Sequence, residues 1–350
     1  MLPTAPATDQ APVLLANADF YGTLAATRSL GRQSIPVYVA ADRFLGVSRW
    51  SRHATKVLAC PPLGEPERFL DWLCALGERE PGIVLCPTSD EAAYLYALRA
   101  RELSSTFRTY QPGLDAVLHV LDKKRLYATA RASGLDTPET WFPETDADVA
   151  RIAREAPMPL LVKPRTQVLS ATHSKGVIVT ERSDLVARYR EFVQASHYGQ
   201  ALLDRMADAS QAMIQAYEPV AAEQIYVLAA FIDESGTLFA ARSGMKIFQR
   251  PRRLGIGLCF EDAPILPHLV EGARRLALAT GHFGIFQMEF IRVGERYMLI
   301  DYNPRLYNQL AFDMARGLPL PLIVHAAAQR TYACGAGFTT LNGGGSSRAS

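Results

Sequence analysis

The first third of the chain alternates short β-branched runs with amphipathic helical stretches, and this alternation constrains the fold more than any other feature. The runs and stretches follow one another at residues 13–16, 21–30, 35–39, 67–78, 83–86 and 91–103. A strand, a covering helix and a second strand in succession form a parallel sheet, because the helical crossover returns the chain to the same edge. We therefore predict an α/β domain with a parallel sheet in the N-terminal part.

Turn residues follow the predicted strands where their carboxyl ends should lie. Asp19 and Phe20 follow the first strand, and Ser89 and Asp90 follow a later one. In open α/β sheets these loops form the ligand crevice, so we expect the four residues near a substrate. Helix capping explains Ser89 and Asp90 equally well. No Gly-x-Gly-x-x-Gly follows the first strand, which argues against a dinucleotide site.

The composition is that of a globular protein and excludes several function classes. The chain has 350 residues, of which 49% are hydrophobic and 21% are charged, and its net charge is +2. Such a balance creates no overall field for nucleic acid. The five cysteines are odd in number and never form Cys-x-x-Cys. We find no secretory signal and no apolar run near the ~20 residues that span a bilayer. We expect a cytoplasmic protein that binds neither nucleic acid nor membrane.

A predicted hairpin near the C-terminal end carries three hard oxygen ligands. Glu289 lies on its first strand, and Asp301 and Asn303 share one face of its second strand. Strict alternation also places Leu299 on that face. A three-residue turn at 294–296 would set Glu289 across from Asp301, whereas a two-residue turn would separate them unless a bulge corrected the register.

These ligands suit Mg²⁺, which binds carboxylates together with phosphate oxygens of a substrate. The guanidinium of Arg305, two residues beyond Asn303, suits a phosphoryl group beside the metal. The alternative is a solvated strand that carries acids and amides by chance.

A predicted helix at 123–133, capped by Asp122, begins with a basic turn. Lys123, Lys124 and Arg125 have the wrong charge for the positive end of a helix. A bound anion would resolve this conflict, and a solvated basic turn is the alternative.

A second lysine, Lys163, interrupts an apolar run at 160–164. Its amine either reaches the surface or faces an anion. A polar loop follows and leads to a strand at 177–180, so we predict a hairpin flap. Ser174 and Gly176 of this flap offer a hydroxyl and a backbone N–H to phosphate oxygens.

The second half of the chain has the pattern of antiparallel strands. We predict a strand at 212–217 and a meander through 225–231 and 238–241. A basic stretch with Lys246 and Arg250 then lies in a predicted loop rich in glycine and proline. Its position favours ligand contact, with a solvated loop as the alternative.

In this order the residues resemble the ATP-grasp superfamily, specifically the carboxylate–amine ligases related to D-aspartate ligases. The resemblance covers about residues 13–330. It is carried by Asp122-Lys123, Lys163-Pro164, the loop ending at Gly176, Glu289, Asp301-x-Asn303-Pro304-Arg305 and, in the opening third, Arg28-Ser29-Leu30-Gly31, Ile35-Pro36-Val37, Ser51-Arg52 and Pro87-Thr88-Ser89-Asp90-Glu91.

The resemblance implies four segments. These are an N-terminal pre-ATP-grasp α/β domain with a parallel sheet at 1–118, a central ATP-grasp subdomain with the phosphate flap at 119–214, a C-terminal ATP-grasp subdomain with the metal site at 215–335, and a flexible tail at 336–350. Antiparallel sheets are expected in the two ATP-grasp subdomains.

The resemblance also implies a role for each candidate residue. ATP would contact the flap and a set of side chains and backbone groups, namely Lys123, Lys163, Ser174, Gly176, Gln215, Ala216, Tyr217 and Glu223. Two Mg²⁺ ions, with Mn²⁺ as an alternative, would be held by Glu289, Asp301 and Asn303. Arg305, with Lys246 or Arg250, would stabilise the transferring phosphoryl group. The sequence departs from the family in having a glycine-poor flap and in having Asp301 where many relatives have Glu.

The implied activity is an ADP-forming ligase that joins a carboxylate to an amine through an acylphosphate. The loop at 165–175 would be a lid that excludes water. The partners would be small molecules of amino-acid or short-peptide type, and a homodimer is expected from the resemblance. An inert ATP-binding protein and a small-molecule kinase are the alternatives.

Overall fold

The structure, a computed structural model, describes residues 10–172 and 174–329. The predicted tail at 336–350 and Cys334 lie outside the described residues. The other four cysteines, Cys60, Cys74, Cys86 and Cys259, are free thiols. None of the described helices is both long and apolar enough to cross a bilayer.

The N-terminal part forms the predicted parallel sheet. Five strands lie side by side in the order β3-β2-β1-β4-β5 and all pair in parallel. The strands are β1 (Val13–Leu15), β2 (Val37–Ala41), β3 (Lys56–Ala59), β4 (Val84–Cys86) and β5 (Arg108–Thr109). The helices of this part are α1 (Tyr21–Arg32), α2 (Pro66–Arg79), α3 (Asp90–Leu98), α4 (Ala100–Leu103) and α5 (Leu114–Leu121). The edge strands β3 and β5 were not predicted, because β3 is mostly exposed and β5 has only two residues.

A central antiparallel sheet follows, with the strand order β6-β9-β7-β8. Its strands are β6 (Thr140–Trp141), β7 (Leu160–Pro164), β8 (Val177–Val179) and β9 (Ala212–Ala216). The helices of this part are α6 (Lys123–Ala132), α7 (Asp146–Glu155), α8 (Leu185–Ala195) and α9 (Gln200–Leu203). The predicted domain boundary between residues 214 and 215 falls inside β9.

A C-terminal antiparallel sheet has the order β12-β11-β10-β13-β14. Its strands are β10 (Ile225–Ile232), β11 (Phe239–Arg250), β12 (Ile256–Asp262), β13 (Gly284–Val293) and β14 (Arg296–Asn303). The helices here are α10 (Pro267–Thr280), α11 (Leu310–Ala315) and α12 (Leu320–Ala328), and three short 3₁₀ helices lie at Val47–Trp50, Arg182–Asp184 and Pro219–Ala222. The mixed α/β class, with one parallel and two antiparallel sheets, is as predicted.

The three sheets share buried side chains. One core cluster contains Leu14 of β1, Leu126 of α6, Met213 of β9 and Phe290 of β13. Burial of apolar surface in this common cluster fixes the sheets against one another.

The hairpin of β13 and β14 forms with a different turn from the one predicted. The turn has two residues, Gly294 and Glu295, since Val293 pairs directly with Arg296. Gly294 has φ +62°, which suits the left-handed conformation of tight hairpin turns. A bulge at Ile300 then restores the register, so that Glu289 pairs with Asp301.

The bulge also corrects the predicted alternation along β14. Leu299 lies in the main core cluster with Phe290, on the face opposite to Asp301. The prediction that Leu299 shares the face of Asp301 was therefore wrong. The extra residue, Ile300, accounts for the difference, because one unpaired residue reverses the alternation that follows it.

Two predicted loops are more ordered than the sequence suggested. Strand β11 extends through Lys246 to Arg250, so the first half of the basic stretch lies in a strand. In the predicted lid, Arg165, Thr166 and Val168 are buried, which anchors the first half of the segment. Only the second half, from Ser170 onward, is free of the core.

Candidate active site

A cleft lies between the central and the C-terminal sheets. Side chains from both sheets and from the start of α6 line it, and many of them belong to the predicted site. The predicted residues that line the cleft are Lys123, Lys163, Gln215, Ala216, Tyr217, Lys246, Glu289 and Asp301.

Two acidic side chains face each other on the floor of the cleft. Glu289 of β13 and Asp301 of β14 are direct partners in the antiparallel ladder. Such partners have their side chains on the same face and close together. The hairpin turn and the bulge together create this pair.

Each of the two carboxylates is paired with a lysine from another element. The Lys123 amine donates to Asp301 Oδ1 at 2.7 Å, and the Lys246 amine donates to Glu289 Oε2 at 2.7 Å. The side chains of Lys123 and Lys246 are only 13% and 4% exposed. Asp122 caps α6 as predicted, by accepting from the Lys124 N–H at 3.0 Å, and so fixes the position of Lys123.

The electrostatics of the cleft shift several pKa values. Burial raises the pKa of Asp301, but the attraction of Lys123, Lys163 and Lys175 outweighs it and holds the pKa below the ordinary range. Burial lowers the pKa of Lys123, but Asp301 more than compensates and the pKa is raised. For Lys163, burial and repulsion by Lys123 lower the pKa to about 7. The cleft lining therefore contains an ionised Asp301 within an excess of basic side chains.

Asn303 and Arg305 lie beside the cleft rather than in its lining. Asn303 Nδ2 donates to Gln287 Oε1 at 2.6 Å, and Arg305 Nη2 donates to Asn303 Oδ1 at 2.7 Å. Arg305 Nε also donates to Asp90 Oδ1 at 2.9 Å. Burial lowers the pKa of Arg305, but Asp90 outweighs this effect and raises it. Arg305 thus connects the metal-site hairpin to the N-terminal sheet.

The residues predicted at the crevice of the N-terminal sheet make different contacts. Ser89 is the N-cap of α3, where it accepts from the Ala92 N–H at 3.1 Å. Asp90 instead contacts Arg305. Phe20 is the N-cap residue of α1 without a side-chain hydrogen bond. Capping is therefore confirmed for Ser89, whereas the nearness of these residues to a substrate stays a prediction.

Four predicted residues lie outside the lining of the cleft for separate reasons. Glu223 and Arg250 are exposed, and Glu223 forms an ion pair with Arg252. Ser174 is exposed and accepts from the Gly176 N–H at 3.3 Å. Gly176 has φ +141°, and a Cβ there would lie 2.7 Å from the Val162 carbonyl oxygen, so only glycine fits this position.

The structure adds two residues that the sequence interpretation did not select. Lys175, next to Gly176, lines the cleft and its amine donates to the Gly255 carbonyl at 3.4 Å. Loss of water around its amine lowers its pKa. Gln287 is buried beside Asn303, and its Nε2 has no hydrogen-bond partner. A signal existed for Gln287, since alternation places it on the face of Glu289.

The donor set favours a metal that is shared with a substrate. Within residues 10–172 and 174–329, no group of three or more His, Cys, Asp or Glu side chains could hold a metal ion. Glu289, Asp301 and the Asn303 oxygen fit Mg²⁺, because this ion takes one or two carboxylates and completes its shell with waters and phosphate oxygens. A metal cage made of protein ligands alone does not fit.

Comparison with known proteins gives a weak sequence match. No protein-family model matches the chain. The large chain of carbamoyl phosphate synthase from two strains of Thermus thermophilus is 27% identical over 219 residues, which is 59% of this chain and 19% of that protein. The chain spans about a fifth of the length of the curated relatives it matches.

Comparison with solved structures gives a strong match in fold. Biotin carboxylase from Campylobacter jejuni, in complex with an ATP analogue, superposes with a TM-score of 0.70 at 15% identity, covering 95% of this chain and 73% of that one. L-amino acid ligase from Bacillus licheniformis has a TM-score of 0.67 at 15% identity, covering 93% and 76%. N5-carboxyaminoimidazole synthetase from Staphylococcus aureus has a TM-score of 0.62 at 14% identity, covering 87% and 72%.

One parallel N-terminal sheet and two antiparallel sheets with a cleft between them make up the fold that the chain shares with these structures. The neighbours are ATP-grasp carboxylate–amine ligases, and the chain has the ATP-grasp fold.

Proposed function

We propose that the protein is an ATP-dependent ligase that joins a carboxylate to an amine through an acylphosphate and releases ADP and phosphate. The observation that carries the proposal is the pairing of Glu289 with Asp301 on the floor of a cleft that three sequence-distant lysines, Lys123, Lys163 and Lys246, also line. Such a site combines hard oxygen ligands for Mg²⁺ with cations for a triphosphate.

The lysines would bind ATP phosphates, with Lys123, Lys163 and Lys175 as the main contacts. The backbone at Gln215, Ala216 and Tyr217 would line the adenine. Glu289, Asp301 and Asn303 would hold two Mg²⁺ ions, with Mn²⁺ as a substitute. Bound there, the metal would neutralise charge on the β- and γ-phosphates.

Arg305 would orient the acid substrate. Its guanidinium is held between Asn303 and Asp90, beside the cleft and at the carboxyl edge of the N-terminal sheet. In this position it would align a substrate carboxylate with the γ-phosphorus, which removes much of the orientational barrier. A carboxylate oxygen then attacks the γ-phosphorus and ADP leaves. The amine next attacks the acyl carbon, and phosphate leaves as the amide forms.

The fold neighbours support a nucleotide in the cleft. One is described as a complex with an ATP analogue, one as a complex with MgADP and bicarbonate, and one as a complex with ADP. One of them is also described as a domain dimer, which supports a homodimer for this chain. By analogy, the substrates would be small acids and amines.

ADP release measured with a panel of amino acids and short acids, with and without amines, tests the proposal. Hydroxylamine in place of the amine should give a hydroxamate, because it traps an acylphosphate. Amine-dependent ADP release supports ligation. ADP release with a stable phosphorylated product would instead indicate a kinase, and ATP binding without turnover would indicate an inert binding protein.

Glu289→Ala and Asn303→Ala should each abolish ADP release while the protein stays folded. The matched control is Glu295→Ala, because Glu295 is an exposed acid in the turn of the same hairpin. Unchanged activity in Glu289→Ala would contradict the metal assignment.

A further inference from the structure

Both acidic side chains that would hold the metal are already neutralised by lysines. Lys123 occupies Asp301 and Lys246 occupies Glu289, each at 2.7 Å. Both lysine side chains are largely shielded from water. An ammonium group that left its carboxylate would therefore stay buried without a partner, which costs free energy. Each lysine occupies one oxygen of its carboxylate, so a metal ion that approached alone would meet an ammonium group beside each ligand.

The net charge of the cleft lining also disfavours the binding of a metal ion without a nucleotide. Its lining includes five basic side chains, Lys123, Lys163, Lys175, Lys246 and Arg253, and three acidic ones, Glu218, Glu289 and Asp301. The excess is therefore positive before anything binds. A divalent cation increases the excess, whereas a triphosphate reverses it.

The third oxygen ligand is engaged as well. Asn303 Oδ1 accepts from Arg305 at 2.7 Å, and its amide nitrogen is held by Gln287. The described residues supply no further acidic cluster for a metal. Waters and phosphate oxygens would therefore complete any metal shell in this cleft.

We infer that the cleft admits divalent metal only together with or after a triphosphate, which draws Lys123 and Lys246 away and frees Asp301 and Glu289. Without nucleotide, the two lysines thus pair with the carboxylates that would bind the metal. When ATP binds, they pair with its phosphates instead. This inference rests on the proposed ATP site. Because coupling between two ligands is reciprocal, metal and nucleotide should each raise the affinity of the other.

The test measures Mn²⁺ binding to the nucleotide-free protein by electron paramagnetic resonance of the free ion. Wild-type protein should bind Mn²⁺ weakly or not at all. Lys123→Met and Lys246→Met should bind it more tightly by roughly 5- to 150-fold, the usual range of coupling between sites. Lys123→Arg and Lys246→Arg, which keep the positive charge, should stay weak like wild type.

The matched control is Lys56→Met, because Lys56 pairs with Glu80 on the exposed surface, far from the cleft. This variant should leave Mn²⁺ binding unchanged. Nucleotide-free wild type that binds Mn²⁺ as tightly as the Met variants would overturn the inference.

A second measurement needs only wild-type protein, so it holds even if the variants fold poorly. Calorimetric titration with ATP in excess EDTA should show binding without metal. If ATP binds only when Mg²⁺ is present, the lysines do not bind the triphosphate by themselves, and the exchange of Lys123 and Lys246 from carboxylate to phosphate is wrong. If ATP binds under neither condition, the proposed function itself fails, and the two failures are thus distinguishable.

Discussion

At the scale of single residues, Lys163 shows how the cleft prepares a site for an anion. The sequence marks it as one lysine within an apolar strand, and the structure explains its environment. Burial and the nearby charge of Lys123 lower its pKa to about 7, so it loses its proton near neutral pH. A triphosphate would restore the charged form, because an opposite charge favours protonation.

This pKa predicts proton uptake when ATP binds. Above pH 7, Lys163 in the free protein is mostly neutral, so ATP binding should take up a large part of one proton, and the uptake should fall as the pH is lowered through 7. Calorimetry in buffers with different heats of ionisation measures this number. Lys163→Arg should bind ATP without the uptake, because arginine stays charged in both states. Equal uptake in wild type and Lys163→Arg would contradict the assignment.

Gln287 is a positioning residue for Asn303. Its Oε1 accepts from Asn303 Nδ2, which leaves the Asn303 oxygen directed toward Arg305. Gln287→Leu should lower kcat about 10- to 100-fold, the usual cost of losing a partner behind a metal ligand. The affinity for metal-free ATP should stay within about twofold of wild type, because the lysines are untouched. A parallel loss of ATP affinity would point to a collapse of the cleft instead.

At the scale of whole helices and strands, the prediction from sequence was least complete. The placement of Glu289 and Asp301 on one hairpin could be predicted from alternation. The turn length and the bulge at Ile300 could not, because a two-residue turn with a bulge and a three-residue turn give the same pairing. Strand β12 was missed because its side chains are largely exposed and it contains Gly257, next to the turn that ends at Gly255.

The predicted lid at 165–175 begins with a buried ion pair. Arg165 donates to both carboxylate oxygens of Asp122 and also pairs with Asp208, with 4% exposure for Arg165 and 5% for Asp122. Asp122 is also the N-cap of α6, so one contact fixes the start of the flap and the helix that carries Lys123. Ser170 and Ala171, further along, pair with the backbone of Tyr198 and His197.

Arg165→Met should therefore destabilise the protein by about 3–5 kcal/mol, because it leaves a buried carboxylate without its partner. The change in the free energy of unfolding can be measured by urea denaturation. The control is Arg190→Met, which removes an exposed pair with Asp146 and should change the free energy of unfolding much less, because water screens exposed charges. Equal effects of the two variants would show that the Arg165 contact does not anchor the flap.

At the scale of the whole molecule, the parallel N-terminal sheet follows from sequence periodicity, whereas the division of the rest into two subdomains with antiparallel sheets was implied by the resemblance. Periodicity does not predict which residues far apart in the sequence come into contact. Arg305 and Asp90 are separated by 215 positions and belong to different sheets, yet they form one ion pair. Their contact depends on the shared core between the sheets rather than on any local pattern.

This contact predicts a selective effect on the acid substrate. Asp90→Ala should lower kcat/KM for the acid by about 10- to 100-fold, because Arg305 loses one of its two anchors and a small misplacement of a catalytic group is costly. ATP affinity should remain unchanged, since neither residue lines the nucleotide cleft. Asp42→Ala, in the loop after β2 at the same edge of the N-terminal sheet, is the control and should have little effect on either quantity.

The oxygen ligands and the lysines of the central sheet lie on different elements. Under the proposed function, this separation has a consequence for product release. Glu289, Asp301 and Asn303 lie on the neighbouring strands β13 and β14, whereas Lys163 and Lys175 lie on or beside the central sheet, across the cleft. If the lysines of the central sheet let go of a spent nucleotide, the oxygen ligands on the hairpin keep their positions, because the two groups belong to different sheets. Under the proposed function, ADP would then leave without any change in the pair of strands whose geometry the metal requires.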